Sequence, residues 1–430
     1  MTLVPMRLLC GLAALAALAA CRLPEPPVPP AAAPSETAAY EALFPFYAEI
    51  CAFSELEKRP GFGAGISSGI GGHAGLYLNG VCRRDDGDLG LCDELPAEAR
   101  TDGVGLSVNA HYQDTVWVSV PGRDFFFAGG LQPEAGLTRD AYRQVLARAR
   151  ALGIYDGITF HDSVLQDMPP GFDAESFKYE VSASTDYAIA FGRNRYCARV
   201  PVSRAQMAGI VGYLNRLNRP YRDHVKMFEW NVFTHNCSHV NHNALAEAAI
   251  WPEWRMDRPL PLAMLDFPVP KNEFVNLMER TNDFPIDDPA ALFADAAAHR
   301  LLMEEGRLPS EPGAIAEYGR ILAPNEVYDT DSPLIFYDDP ITGSYQPKFD
   351  RMLTQPRYFN LSDNLAYFRL LFRRIEQERL PVERYLAEGH GIPPGRTEEF
   401  RRFYRRYYEV IDEEAAAVER GLALLGGHSP

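Results

Sequence analysis

The sequence predicts an α+β protein: an antiparallel sheet packed on helices, continued by a mostly helical C-terminal extension. Three observations predict it. From Ala39 to about Trp254, strand-like and helix-like segments interleave. The strand-like ones cluster in hairpin-like pairs, which argues against a doubly wound sheet. After about Pro259 long amphipathic stripes take over, separated by loops rich in Pro, Asp and Tyr.

The N-terminus sets the compartment. Arg7 precedes the apolar run "LLCGLAALAALAA", too short to span a bilayer and suited to a secretory leader. Leu18-Ala19-Ala20-Cys21 resembles the bacterial lipobox, so residues 1–20 read as a signal peptide and Cys21 as a lipidated (palmitate-bearing) N-terminus. Arg22 follows where no Asp stands. By resemblance to lipoprotein sorting, this implies the outer membrane, facing the periplasm. Residues 21–38, "CRLPEPPVPPAAAPSETA", hold too much proline for a helix or a ladder and read as an extended tether. No later stretch is long and apolar enough to cross a membrane, so the lipid is the expected membrane partner.

The folded body is expected from Ala39. "AAYEALFPFYAEICAFSELEK" carries apolar residues at three- and four-residue spacing and reads as a helix. "GFGAGISSGIGG" follows, then the short strand "HAGLYL". "GVGLSVNA" and "TVWVSVP" read as two strands around the turn "HYQD". "TRDAYRQVLARARAL" reads as a helix, "KYEVSASTDYAIAFG" and "RYCARVPV" as strands. Ser203 is placed to cap a helix over "RAQMAGIVGYLNRLN". The α+β domain is assigned to 39–255 and the helical extension to 256–430. In the extension, Leu365, Phe368, Phe372 and Ile375 form one stripe with Ser362 as cap. Phe400, Phe403, Tyr407, Ile411, Val418, Leu422 and Leu425 form a second. Arg401, Arg402, Arg405 and Arg406 read as a solvated face pairing with nearby acids, with contact to anionic lipid left open.

Net charge is -16, which disfavours a nucleic-acid partner. Seven cysteines are present. Cys10 leaves with the leader and Cys21 carries lipid, so five remain for an oxidising compartment, and one stays unpaired. Cys82 and Cys92 flank a short polar loop and are expected to bridge. Cys51 and Cys197 pair by elimination, leaving Cys237.

Cys237 lies in "FTHNCSHVNH". Asn236 can cap a helix starting there, and Val240, Ala244, Leu245 and Ala248 give that helix a buried face. A thiol at a helix N-terminus feels the positive end of the dipole, which lowers its pKa, and the free N–H groups of that turn can hold an oxyanion. A thiolate nucleophile wants an imidazole from another element. His73, opening a strand after "GIGG", is the candidate. The rival reading is a metal site of Cys237, His235, His239 and His242, in which His239 and His242 lie one turn apart.

A strand-borne "GHAGLYL" followed much later by "NC" opening a helix resembles the circularly permuted NlpC-type papain-like group, which includes lecithin:retinol acyltransferase-like enzymes. The resemblance covers roughly residues 60–250. It implies a permuted papain-like domain with Cys237 as nucleophile and His73 as base. Acyltransferase members carry a second His soon after the first, but here "CRRDDGDLGLC" holds none. Asn109 and His111 on the next strand-like segment are the candidates for the group that orients the imidazole. The implied activity is amide or ester hydrolysis, or acyl transfer, through an acyl-enzyme and without a cofactor. Location restricts the substrate to a peptidoglycan peptide, a lipoprotein or a lipid. The alternatives are an inactive papain-like scaffolding lipoprotein and a His/Cys metal-binding protein.

Overall fold

The computed structural model describes residues 34–61, 72–265, 267–338 and 343–426. The leader, Cys21, most of the tether and nearly all of the glycine-rich stretch before His73 lie outside them. The fold is α+β with a mainly helical C-terminal region. Its strands are β1 (Tyr47–Phe53), β2 (His73–Asn79), β3 (Val81–Arg83), β4 (Leu89–Leu91), β5 (Val104–Ser107), β6 (Val118–Pro121), β7 (Arg195–Pro201) and β8 (Ile315–Gly319). Six form one antiparallel sheet in the order β6-β5-β2-β1-β7-β8, and β3 pairs with β4. The principal helices are α1 (Pro34–Leu43), α2 (Arg123–Ala128), α3 (Arg139–Ala151), α4 (Ala174–Ser182), α5 (Arg204–Arg222), α6 (Cys237–Glu247), α7 (Pro270–Asp283), α8 (Leu361–Gln377) and α9 (Thr397–Gly426).

Several helices follow from local signals. Ser203 accepts from the Gln206 N–H while Gln206 returns to the Ser203 N–H, a reciprocal cap for α5. Thr138 caps α3. Four expectations are corrected. α1 begins at Pro34, ahead of Ala39, because proline is tolerated in a first helical turn. Residues 47–53 form a central strand, not the continuation of a helix. All seven are buried, so the polar/apolar alternation of a one-sided strand is missing. The run from Lys178 is the end of α4, capped by Asp173, followed by a turn with Ser184 and Ala188 at positive φ, and not a strand. Asn360, not Ser362, caps α8, accepting from the Asp363 N–H at 3.0 Å.

The two sheet faces carry different chemistry. A Cβ on Gly75 would meet Phe53 at 2.8 Å and Phe126 at 3.1 Å, and one on Gly105 would meet Phe126 at 2.1 Å. These glycines let α2 seat its aromatic side chain directly on the sheet. On the same face Arg199 bonds Glu49 at 2.5 Å, Arg123 bonds Glu49 at 2.9 Å, and both reach Glu317 of β8. The three arginines around Glu317 hold its carboxyl down at about 2, against the opposing effect of burial. The C-terminal segment therefore completes the sheet and its ionic cluster as well as adding helices. The opposite face, with Ala74, Leu76 and Tyr196, is covered by α6 and α7, and α5 packs on α6 and β4; Phe274 of α7 lies 5.7 Å from the Tyr196 ring.

Both expected disulfides are present. Cys51–Cys197 joins paired positions of β1 and β7, and Cys82–Cys92 closes the β3–β4 loop; Cys237 is the free, buried cysteine. On α9, Arg401 pairs with Glu383 and Glu398, and Arg406 with Glu409.

Candidate active site

Cys237 is the first residue of α6. Asn236 caps it, its Oδ1 accepting from the His239 N–H at 2.9 Å. The cap also fixes the surroundings: the Asn236 amide donates to the Val232 carbonyl at 2.8 Å and to the Pro268 carbonyl at 3.1 Å. The thiol is 6% exposed. Burial pushes it above its ordinary pKa, and the N–H groups of Ala74, Ser238 and Cys237 itself offset this only in part. The helix start does supply donors to the sulfur, as the sequence suggests, but desolvation outweighs them.

His73 opens β2, just beyond Gly72. Its Nε2 lies 3.0 Å from Ser107 Oγ. Ser107 has one hydroxyl hydrogen, and it goes to Asp186 Oδ1 at 2.7 Å. Ser107 is therefore the acceptor toward the imidazole, so the proton is assigned to Nε2 and the lone pair to Nδ1. Asp186 is wholly buried and receives further donors from Asn109 at 3.1 Å, Tyr112 at 2.5 Å and Tyr155 at 2.9 Å. Burial, then the nearby Arg193 charge, push the His73 imidazolium down to about 3. A resting thiolate–imidazolium pair, with Cys237 lowered and His73 raised, is the reverse of what these environments favour.

Ser107 and the Thr185 carbonyl are the polar groups that touch His73. Asn109 lies one step behind Ser107, on Asp186, and supports His111 by accepting its backbone N–H at 3.3 Å. The His111 ring packs 5.7 Å from Phe160, and its buried Nδ1 has no partner. No hydrogen bond joins Cys237 Sγ to His73 among the described residues. His73 shares its sheet face with Gly75 and Ser107, whereas α6 packs over the Ala74 and Leu76 face. The thiol meets the strand at the Ala74 N–H, one residue beyond His73. The two side chains approach the same strand start from opposite sides.

The proposed metal ligands do not converge. The His242 ring bonds Glu273 at 2.5 Å and the Pro252 carbonyl at 2.9 Å, and stacks on Trp251 at 4.0 Å. His235 bonds Thr234 at 3.0 Å. Among the described residues, the donor atoms that gather within 4.8 Å are those of Glu49, Cys51 and Cys197, whose sulfurs are tied to each other.

Ser107, Asp186 and Arg193 escape the sequence reading. Arg193, 2% exposed, donates to the Ser184 carbonyl at 2.8 Å and the Ser54 carbonyl at 2.6 Å, and its charge reaches both His73 and Cys237. A signal was present: Asp186 is the one charged residue in the otherwise uncharged "SASTDYAIAFG". No family model, curated protein or solved structure matches this chain.

Proposed function

We propose that the protein is a lipid-anchored cell-envelope thiol hydrolase or acyltransferase, on a permuted papain-like domain, with Cys237 as nucleophile and His73 as base. The observation that carries this reading is the Ser107–Asp186 relay, which fixes His73 Nε2 and leaves Nδ1 with the lone pair. In the reaction, Nδ1 takes the thiol proton and sulfur attacks an amide or ester carbonyl. The carbonyl oxygen becomes an oxyanion facing the N–H groups at the start of α6. The tetrahedral adduct collapses, the leaving group takes the proton from Nδ1, and an acyl-thioester remains. Water or an amine then attacks the thioester with the same proton relay, releasing the acyl product and restoring the thiol. No cofactor enters. The outer membrane's periplasmic side supplies the substrate classes: a peptidoglycan peptide, a lipoprotein or a lipid. The resting side chains are not hydrogen-bonded, so the reading requires the start of α6 and the start of β2 to rearrange together when substrate binds, with the Ser107 bond to His73 kept.

The burial of Cys237 favours a second reading, an inactive scaffold that keeps the fold without the chemistry. Labelling with an electrophilic thiol probe across pH separates the two. Native-state labelling that slows and shifts to higher pH in His73→Ala supports the enzyme. Labelling that ignores His73→Ala and appears only on unfolding supports the scaffold.

A further inference from the structure

Eleven large hydrophobic side chains are exposed among the described residues, and eight fall in two short segments: Val225, Met227, Trp230 and Val232 in one, Leu260, Leu262, Met264 and Leu265 in the other. The other three, Met303, Leu370 and Leu424, are scattered. The two segments meet. Phe233 and Phe267 pack edge to face at 5.1 Å, and the Asn236 side chain ties the Val232 and Pro268 carbonyls together. A contiguous apolar face of this kind on an exported protein marks a contact surface.

We propose that this two-segment face is a bilayer-contacting surface that seats the protein on the membrane interface beside the start of α6. Its composition fits that occupant, with aliphatic and methionine side chains around an exposed tryptophan. Its charge fits as well. Across 224–233 and 258–265, Lys226 and Arg258 stand against the single acid Glu229, on a chain whose net charge is -16. This locally cationic face is where an acidic body meets an anionic surface with least repulsion. Residues 22–33 separate Cys21 from the start of α1 at Pro34, so an anchored body holds the face near lipid at high effective concentration. The proposal rests on the lipidation reading for this tether only, and not on the thiol chemistry.

The full chain, purified from membranes, is bound to phosphatidylethanolamine/phosphatidylglycerol vesicles containing lipids brominated near the headgroup. Trp117 and Trp251 are buried, Trp254 is half-buried and Trp230 is exposed, so Trp230 is the tryptophan that lipid reaches first. Tryptophan quenching is expected, abolished largely by Trp230→Phe. It should fall about threefold or more in Leu262→Asp/Leu265→Asp, whose side chains are exposed and whose loss leaves the core intact. The mass of the N-terminal peptide reports lipidation separately. If Cys21 carries no lipid, quenching must still appear at raised vesicle concentration. Absent quenching in either case overturns the proposal, as does quenching indifferent to the double substitution. A dimer that shields Trp230 from bromine and dissociates in the double variant also overturns it, in favour of a second copy as occupant.

Discussion

Acidification from pH 7.5 to 5.5 is expected to cost this protein about 2.8 kcal/mol of stability through two histidines alone. The burial of His73 and His239 depresses both to about 3. In the unfolded chain each titrates near 6.5. The unfolded state therefore binds more protons between the two values, and stability falls as pH drops through 6.5 and continues to fall toward 3. At pH 5.5 each group contributes about 1.4 kcal/mol of loss, and at pH 7.5 almost none. Burial also lowers His111, His235 and His299, which adds to the loss, while the raised carboxyls of Glu414 and Glu376 act in the opposite sense. Glu317, held at about 2, adds its loss only below the ordinary carboxylate range and lies outside this window. Urea unfolding at the two pH values reads the loss directly. His73→Asn should reduce it by about 1.4 kcal/mol while lowering stability at pH 7.5 through the lost Ser107 contact. A loss under about 1 kcal/mol, or one unchanged by His73→Asn, refutes the assignment of neutral, buried imidazoles.

Asp186→Asn places an amide where four donors converge, so one pair of donors loses its charged acceptor. It should cost about 3 kcal/mol in urea unfolding, and a change within about 0.5 kcal/mol would contradict the network. The Cys51–Cys197 bridge closes 146 residues and Cys82–Cys92 closes 10. In the chain-entropy model the paired alanine variants should lose about 5 and about 2.7 kcal/mol respectively, and a reversed order in chemical denaturation would count against that account. Asn236→Ala removes a helix cap and two ties to flanking carbonyls. A loss of about 2–3 kcal/mol is expected, together with faster hydrogen exchange in 224–233; unchanged exchange would deny the tie.

What could be read from the sequence divides along local and non-local lines. α3 and α5 announce themselves through caps and periodicity, because the residues that fix them lie within one turn. Cys237 at a capped helix start and His73 at a strand start are local features too, and both stand where the spacing puts them. β1 hides because both of its faces are covered, and β8 because five residues between loops carry no periodicity of their own. Ser107 meets Asp186 across 79 positions, through a turn set by positive φ at Ser184 and Ala188. No pattern in either segment specifies that meeting. The protonation preferences of the site fail to transfer for the same reason. The helix dipole is written in the local sequence, whereas full burial of the thiol exists only once β2, α6 and Arg193 are assembled.

That burial bears on the choice between enzyme and scaffold. It raises the thiol above its ordinary range and lowers the imidazole to about 3. The two shifts open a gap that opposes moving a proton from Cys237 to His73 in the closed structure, and hydration of both groups would narrow it. Neither the helix dipole nor the N–H groups around sulfur close that gap, because they already act in the resting state and are outweighed there. An active dyad must therefore be reached through an opening that rehydrates the start of α6. A scaffold needs no such opening, and its thiol reactivity would follow global unfolding alone. Labelling rates of Cys237 measured against denaturant separate these cases. A sub-global opening gives a rate nearly independent of low denaturant, whereas global unfolding gives one that climbs with the full unfolding slope.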